Sequence, residues 1–359
     1  MTKSILVNRI LIFFISISIV TSTFSMVNTV NAESNSAGFY VSAELPDNQL
    51  NKNVSYFDLR MKPSEKQTIK VKVFNENDRD MNMGVFVSNA SSNANGLIDY
   101  SQQGIKDDSL KYPLESIAKP VEDVFTVPAN GSKTVKIKLT MPEKEYDGII
   151  LGGLVFKEVI EKNAKQDIPS EPALSINNVL SYALAVKISE NDNYEDINLD
   201  LTDVEARVIN YEPVVTHYIK NDAAALSTKM SMTIAVTDID TGETVSNSQN
   251  DNVSIAPDSV MPYSLKLKDT KLKEGNYISK VSITYKDNEA KERTVKFEKE
   301  FSVNEEHANA INDYNTVQES MPTWAKVIIA GIAILIAAVL VLIIISIKRK
   351  KTDVKNNKF

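Results

Sequence analysis

The sequence predicts an all-β protein: two tandem immunoglobulin-like β-sandwich domains, followed by one C-terminal transmembrane helix. Three observations lead there. Apolar residues alternate with lysine and other polar residues over many short stretches, the period of a half-buried strand. Turn-forming residues separate those stretches, and no convincing long amphipathic helix interrupts them, as in a sandwich. Near the C-terminus, residues 327–347 run for 21 residues without a charge, enough for roughly 30 Å of helix.

In chain order, residues 1–32 carry Lys3 and Arg9 with no acid, an apolar run over residues 10–20, and a close in Val30-Asn31-Ala32. Those small residues suit signal-peptidase cleavage before Glu33, so the segment reads as a secretory signal peptide. An uncleaved anchor is the competing reading, but the apolar run makes only about 16 Å of helix at ~1.5 Å per residue, roughly half a bilayer core.

The first sandwich is expected over residues 33–160. Ile69, Val71 and Val73 alternate with Lys70 and Lys72; Val135, Ile137, Leu139 and Met141 alternate with Lys136, Lys138 and Thr140; Met83, Val85 and Val87 repeat the pattern. Asn75-Glu76-Asn77-Asp78 and Pro128-Ala129-Asn130-Gly131 supply turns. Tyr146-Asp147-Gly148 reads as a turn into a buried final strand ending at Phe156, where Gly152 and Gly153 allow a bulge or a close backbone approach.

Residues 161–171 have no apolar period and read as a linker. The second sandwich is expected over residues 172–303, with strands around Leu184 to Ile188, Ile197 to Leu201, Met230 to Val236, Val281 to Tyr285 and Val295 to Val303. Thr241-Gly242 and Glu274-Gly275-Asn276 are natural turns between them. Residues 304–323 are polar and acidic and read as a stalk, with a short helix around Ala308 to Ile311 as the alternative.

Residues 324–347 form the expected spanning helix, with Trp324 at the outer headgroup layer. Lys348, Arg349, Lys350 and Lys351 follow directly, and the positive-inside bias keeps the basic tail of residues 348–359 in the cytoplasm. The bulk of the chain is therefore expected outside the membrane.

Charge and composition narrow the chemistry. The 359 residues hold 40 Lys plus Arg against 47 Asp plus Glu, a net charge of -7. Removing the +2 of residues 1–32 and the +6 of residues 324–359 leaves -15 for residues 33–323. Such an acidic region disfavours nucleic acid as a partner. With no cysteine there is no disulfide or thiolate, and the two histidines, His217 and His307, leave little for a His-relayed triad or a metal centre. The sequence assigns no catalytic residue, no metal and no cofactor.

Asp238, Asp240, Gly242 and Glu243 partly resemble a calcium loop, but the closing ligand series is missing and Asp-Thr-Gly suits a hairpin. Asn53, Asn89, Asn130 and Asn252 match glycosylation sequons, though Asn also forms turns. The amide-rich loop from Asn89 to Tyr100 is more informative. Its Asn89, Asn93 and Asn95 amides can read acetamido and carbonyl groups, and Tyr100 can stack on a sugar face. Equally, such amides can bond their own backbone.

The order of features resembles one known family. Ser55-Tyr56-Phe57-Asp58-Leu59, Pro63, the Lys70 to Val73 strand with Asn75, the Asn89 to Tyr100 loop, and Tyr146-Asp147-Gly148 with Leu151-Gly152-Gly153 resemble the first domain of WxL-interacting proteins, which are membrane-anchored surface proteins of Gram-positive bacteria. Asn178 with Tyr182 to Val186, Ile255-Ala256-Pro257-Asp258-Ser259, Gly275-Asn276-Tyr277 and Phe297 to Phe301 are similar to their second domain. The resemblance spans nearly the whole chain. Two departures are visible: Thr294-Val295 stands where an aromatic is common, and Asp258 replaces the usual Asn after proline.

The resemblance implies that the first domain binds peptidoglycan, through Asn89, Asn93, Asn95 and Tyr100 on the loop reading. It also implies WxL-domain proteins as partners and a second domain that contacts host extracellular-matrix or surface proteins. The expectation is a non-enzymatic adaptor at the cell membrane, single-pass, with its ectodomain in the wall or outside the cell. A membrane-tethered assembly or chaperone factor for secreted wall proteins is the alternative, and a wall-modifying enzyme a more distant one.

Overall fold

The structure, a computed structural model, describes residues 38–101, 108, 110–159, 180–193, 195–267, 272–315, 328–329, 331–332 and 335–336. The first half of the chain contributes β1 (Phe39–Glu44), β2 (Phe57–Arg60), β3 (Lys66–Asn75), β4 (Met81–Asn89), β5 (Ser91–Ser92) and β6 (Ile98–Asp99). A short helix α1 (Leu114–Ile117) precedes β7 (Ala118–Pro120), β8 (Val124–Val127), β9 (Ser132–Thr140), β10 (Ile149–Glu158) and β11 (Ser181–Ser189).

Two sheets, ordered β1-β3-β9-β7 and β2-β11-β10-β4-β8, face one another. The alternation read from the sequence is the cause. Ile69, Val71 and Val73 of β3 and Val135, Ile137 and Leu139 of β9 turn inward, where they meet Met83, Val85, Leu154, Phe156 and Val186. Their lysine neighbours stay wet.

β10 is buried along eight consecutive residues because it has a paired strand on each side. Gly152 and Gly153 make no bulge there, since the ladders to β4 and β11 run through both positions without a register shift. They serve close approach instead: a Cβ on Gly152 would stand 2.3 Å from the Ser88 carbonyl oxygen, and one on Gly153 would stand 2.6 Å from Tyr100 Cβ.

One expectation is corrected. The Leu184, Val186 and Ile188 strand, expected to open the second domain, is β11 of the first sandwich. It lies between β2, which it pairs in parallel, and β10, which it pairs antiparallel. Lys187 stands opposite Asp58, and Lys187 Nζ lies 3.2 Å from the buried Asp58 carboxylate, so the pairing carries an ion pair. β10 is thus central rather than final.

The second sandwich holds β12 (Leu199–Ile209), β13 (Glu212–Asn221), β14 (Ser227–Asp238), β15 (Thr244–Ile255), β16 (Ser259–Lys266), β17 (Gly275–Lys286) and β18 (Glu292–Val303). Its sheets are ordered β12-β13-β16 and β15-β14-β17-β18. Met230, Met232, Ile234, Val236, Val215, Ile219, Val281 and Ile283 fill its core. Residues 238–243 form the hairpin turn between β14 and β15, in which the Thr241 N–H donates to the Asp238 carboxylate at 2.8 Å and Gly242 adopts φ 71°.

The expected stalk begins as structure. Helix α2 (Glu305–Asn315) packs against β12 and β13 and buries Ala308 and Ile311, which sit three residues apart on one helical face. The signal peptide of residues 1–32, the linker of residues 161–171 and the tail of residues 348–359 lie outside the described residues, as do Trp324, Lys348, Arg349, Lys350 and Lys351. Among the described residues no helix is long and apolar enough to cross a membrane, and most of residues 324–347 fall outside that set.

Candidate functional site

The turn from β15 to β16 passes through Ala256, Pro257 and Asp258, the last at φ 44°, and the first sandwich meets its polar groups. Ser92 Oγ accepts from the Ala256 N–H at 2.9 Å and lies 3.0 Å from Ser259 Oγ. The Ser259 hydroxyl donates to the Ala256 carbonyl at 2.9 Å, so within the serine pair Ser92 is the donor.

The loop between β5 and β6 continues the contact. The Ala94 carbonyl accepts from the Ser264 N–H at 2.9 Å, and the Gly96 carbonyl from the Ser254 N–H at 2.8 Å. β15 and β16 are edge strands of opposite sheets, so this hairpin bridges the open side of the second sandwich and satisfies edge donors that would otherwise face solvent. Gly96 adopts φ 75°, and a Cβ there would stand 3.2 Å from both Tyr263 and Val253.

A second seam lies at the start of β10. The Ile149 N–H donates to the Ala224 carbonyl at 2.8 Å, an approach open to glycine alone at 148, where a Cβ would stand 2.4 Å from Ala224 Cβ. The Tyr146 hydroxyl donates to Asp258 Oδ2 at 3.3 Å. Burial, and then the Asp258 charge, push the Tyr146 phenol well above its usual range. Tyr112 packs edge-on against Tyr146 with centroids 4.9 Å apart.

Beside this seam opens a cleft of about 520 Å³, lined by Lys111, Tyr112, Asp147 and Asn193 from the first sandwich and the segment after β11, and by Asp222 and Asp258 from the second. Aromatic surface, an amide and charges of both signs converge there.

The four amide-loop residues divide. Asn89 is buried, its Oδ1 accepting from the Glu115 N–H at 3.2 Å while its Nδ2 has no hydrogen-bond partner among the described residues. Asn93 Oδ1 accepts from the Asn95 and Leu97 N–H groups at 3.0 and 3.1 Å, so it holds its own turn. Asn95 is exposed. Tyr100 packs on Gly153, and burial, with Tyr56 nearby, pushes its phenol up to about 12.

Sequence reasoning missed the junction roles of Ser92, Tyr146 and Asp258. Each lies in a motif that was singled out, but the Tyr146–Asp258 contact joins residues 112 apart and leaves no local period to read. His217 is fully buried on β13. Its Nε2 lies 2.7 Å from Ser279 Oγ on β17, a bond that ties one sheet to the other. Among the described residues no group of three or more acidic or histidine side chains could hold a metal ion.

No curated protein matches the chain by sequence. Among solved structures, it is similar to a chaperone–tip adhesin complex of CFA/I fimbriae biogenesis (11% identity, TM-score 0.32, covering 73% of this chain and 98% of that one). It is also similar to the E. coli chaperone DraB (13%, 0.29, 74% and 96%) and to the Pseudomonas aeruginosa CupB2 chaperone (10%, 0.27, 66% and 95%).

Family comparison is more direct. Residues 39–158 match the profile described as WxL Interacting Protein, peptidoglycan binding domain, and residues 171–313 match WxL Interacting Protein, host binding domain. The boundary between the two matches falls ahead of β11, whereas hydrogen bonding puts β11 in the first sandwich. Together the matches take in both sandwiches and most of helix α2, and the chain belongs to the WxL Interacting Protein family.

Proposed function

We propose that this protein is a non-enzymatic cell-surface adaptor that grips peptidoglycan with its first sandwich and offers its second to protein partners. The family match over both sandwiches carries this reading, since it describes the first as a peptidoglycan binding domain and the second as a host binding domain. The junction cleft is the wall seat in this reading, with Asn95 as the loop amide left in solvent. Asn89, Asn93 and Tyr100 act one step back, holding the hairpin that fixes the angle between the cleft walls.

WxL-domain proteins and host surface or matrix proteins are assigned to the second sandwich. Beyond the hairpin, its β15 and β16 edges border a groove of about 470 Å³ lined by Val245, Ser246, Ser248, Tyr263 and Leu265. An extended segment adds readily along such an edge. Export by residues 1–32 and anchoring by residues 324–347 complete the reading, with Trp324 at the outer interface and Lys348 to Lys351 inside. Ile328, Ile329, Ile332, Leu335 and Ile336 turn large apolar side chains outward, which fits a helix solvated by lipid.

The test is sedimentation of residues 33–315 with purified peptidoglycan, beside an unrelated sandwich domain. Retention above that control is expected, and Lys111→Ala with Asn193→Ala should lower it about tenfold, the loss of one to two polar contacts. Sedimentation equal to the control domain would remove the wall-binding assignment.

A further inference from the structure

The outer face of the β1-β3-β9-β7 sheet carries a charge pattern that solvation alone does not account for. Lys66, Lys70 and Lys72 of β3, Lys136 and Lys138 of β9, and Lys119 of β7 all point away from the core. Glu44 on β1 is the acid of this face; it lies 4.0 Å from Lys70, which is the one lysine of the six with a carboxylate within ion-pair reach among the described residues. Six lysines and one glutamate give +5 on a single face of a region whose net charge is -15.

Cross-strand register sharpens the point. Lys70 stands directly opposite Lys136, and Lys138 directly opposite Lys119. Like charges so placed are destabilising, and a merely solvated face avoids them. The second sandwich does avoid them: Lys280 stands opposite Glu298, with Nζ 3.2 Å from its carboxylate, and Lys286 stands opposite Glu292.

The chemistry of a ligand follows from what the face offers. Ammonium groups are point charges without the planar fork of arginine, so they read charge density rather than the shape of one anionic group. Lysines two residues apart on a strand repeat every ~7 Å, and neighbouring strands lie ~5 Å apart, so the charges form a field about 20 Å across rather than a pocket. Thr68 on β3 and Ser132, Thr134 and Thr140 on β9 take other outward positions, keeping the field low and wettable. At one end Tyr40 stacks on Phe74, with centroids 4.5 Å apart and planes 10° apart, and presents a ring beside the charge.

We propose that this face docks a linear anionic glycopolymer, a chain carrying one fixed negative charge per repeat, along the lysine field. The assignment is independent of the peptidoglycan reading, because the lysine face and the junction cleft share no residue.

The experiment uses the full chain in a neutral detergent, with binding measured to long-chain polyphosphate, to polygalacturonate and to neutral dextran. Binding to polyphosphate or polygalacturonate that weakens steeply between about 50 and 300 mM salt is expected, with none to dextran; which polyanion is preferred identifies the anionic group. Lys70→Gln with Lys136→Gln and Lys138→Gln should weaken that binding at least about tenfold, while the three Arg replacements retain it. The same Gln variant should keep or raise its thermal midpoint and should keep its peptidoglycan sedimentation, which reads the two assignments separately. Failure of the wild type to bind either polyanion, equal binding by the Gln variant, or equal binding to dextran would each overturn the proposal.

Discussion

His217 shows how one side chain couples the second sandwich to pH. Burial lowers its pKa from 6.5 to about 4, because charging an imidazole among Val215, Tyr263 and the facing Ser279 has no carboxylate to offset it. In the unfolded chain the same ring protonates near 6.5, so at acid pH the unfolded state binds the extra proton. Its contribution is therefore complete above about pH 6.5 and is lost as pH falls toward 4, an effect of about 3 kcal/mol at most. Urea unfolding of residues 33–315 at pH 7 and pH 4.5 should show His217→Gln losing less stability than wild type, by about 2 kcal/mol. Equal acid sensitivity in the two would show that this ring is not the titrating group.

At the scale of elements, β11 decides where a domain can be cut. It supplies the ladder between β2 and β10, so a fragment ending at the limit of the first family match leaves β2 without its strand partner and β10 paired on one side only. Residues 33–160 should express as an aggregating, non-cooperative species, whereas residues 33–193, which restore β11 and the Lys187–Asp58 pair, should unfold in one cooperative transition. Comparable cooperative unfolding of both fragments would contradict the ladder. Helix α2 makes the same point in the second sandwich, where a segment that reads as polar stalk buries Ala308 and Ile311 on the β12–β13 pair.

For the whole molecule, the hairpin of β5 and β6 joins the two sandwiches by hydrogen bonds. Ser92 is its keystone, a buried hydroxyl that accepts from Ala256 and donates to Ser259. Ser92→Ala leaves the Ala256 N–H buried without an acceptor, at a cost of about 1–3 kcal/mol carried by the junction rather than by either core. Small-angle scattering of residues 33–315 should then show a larger radius of gyration than wild type, with circular dichroism unchanged; an unaltered scattering profile would assign the loop a role other than clasping. A loosened junction would also splay the cleft between Tyr112 and Asp222, which links this contact to wall retention.

How much of this was legible in the sequence depends on how local the cause was. Alternation in Ile69 to Val73 and Val135 to Met141 identified strands because one face of each is dry, and the turns at Asn75 and Pro128 follow from backbone chemistry of a few residues. β15 was not legible: as an edge strand wet on much of its surface, Thr244 to Ile255 has no apolar period to read. The amide loop was legible as special but not in its task, since Asn93 bonds its own turn and Asn89 its own sandwich, while Ser92 and the Ala94 and Gly96 carbonyls meet the second sandwich.

The sequence by itself determined the all-β class, the chain order of the two sandwiches and the family, because periodicity and ordered motifs are properties of neighbours along the chain. Only the tertiary structure decided that β11 belongs to the first sandwich, that Asn89 to Tyr100 is a clasp, and that six lysines from three strands share one face. Each of those depends on register between segments far apart in sequence, where the physics acts through contacts that no local pattern encodes.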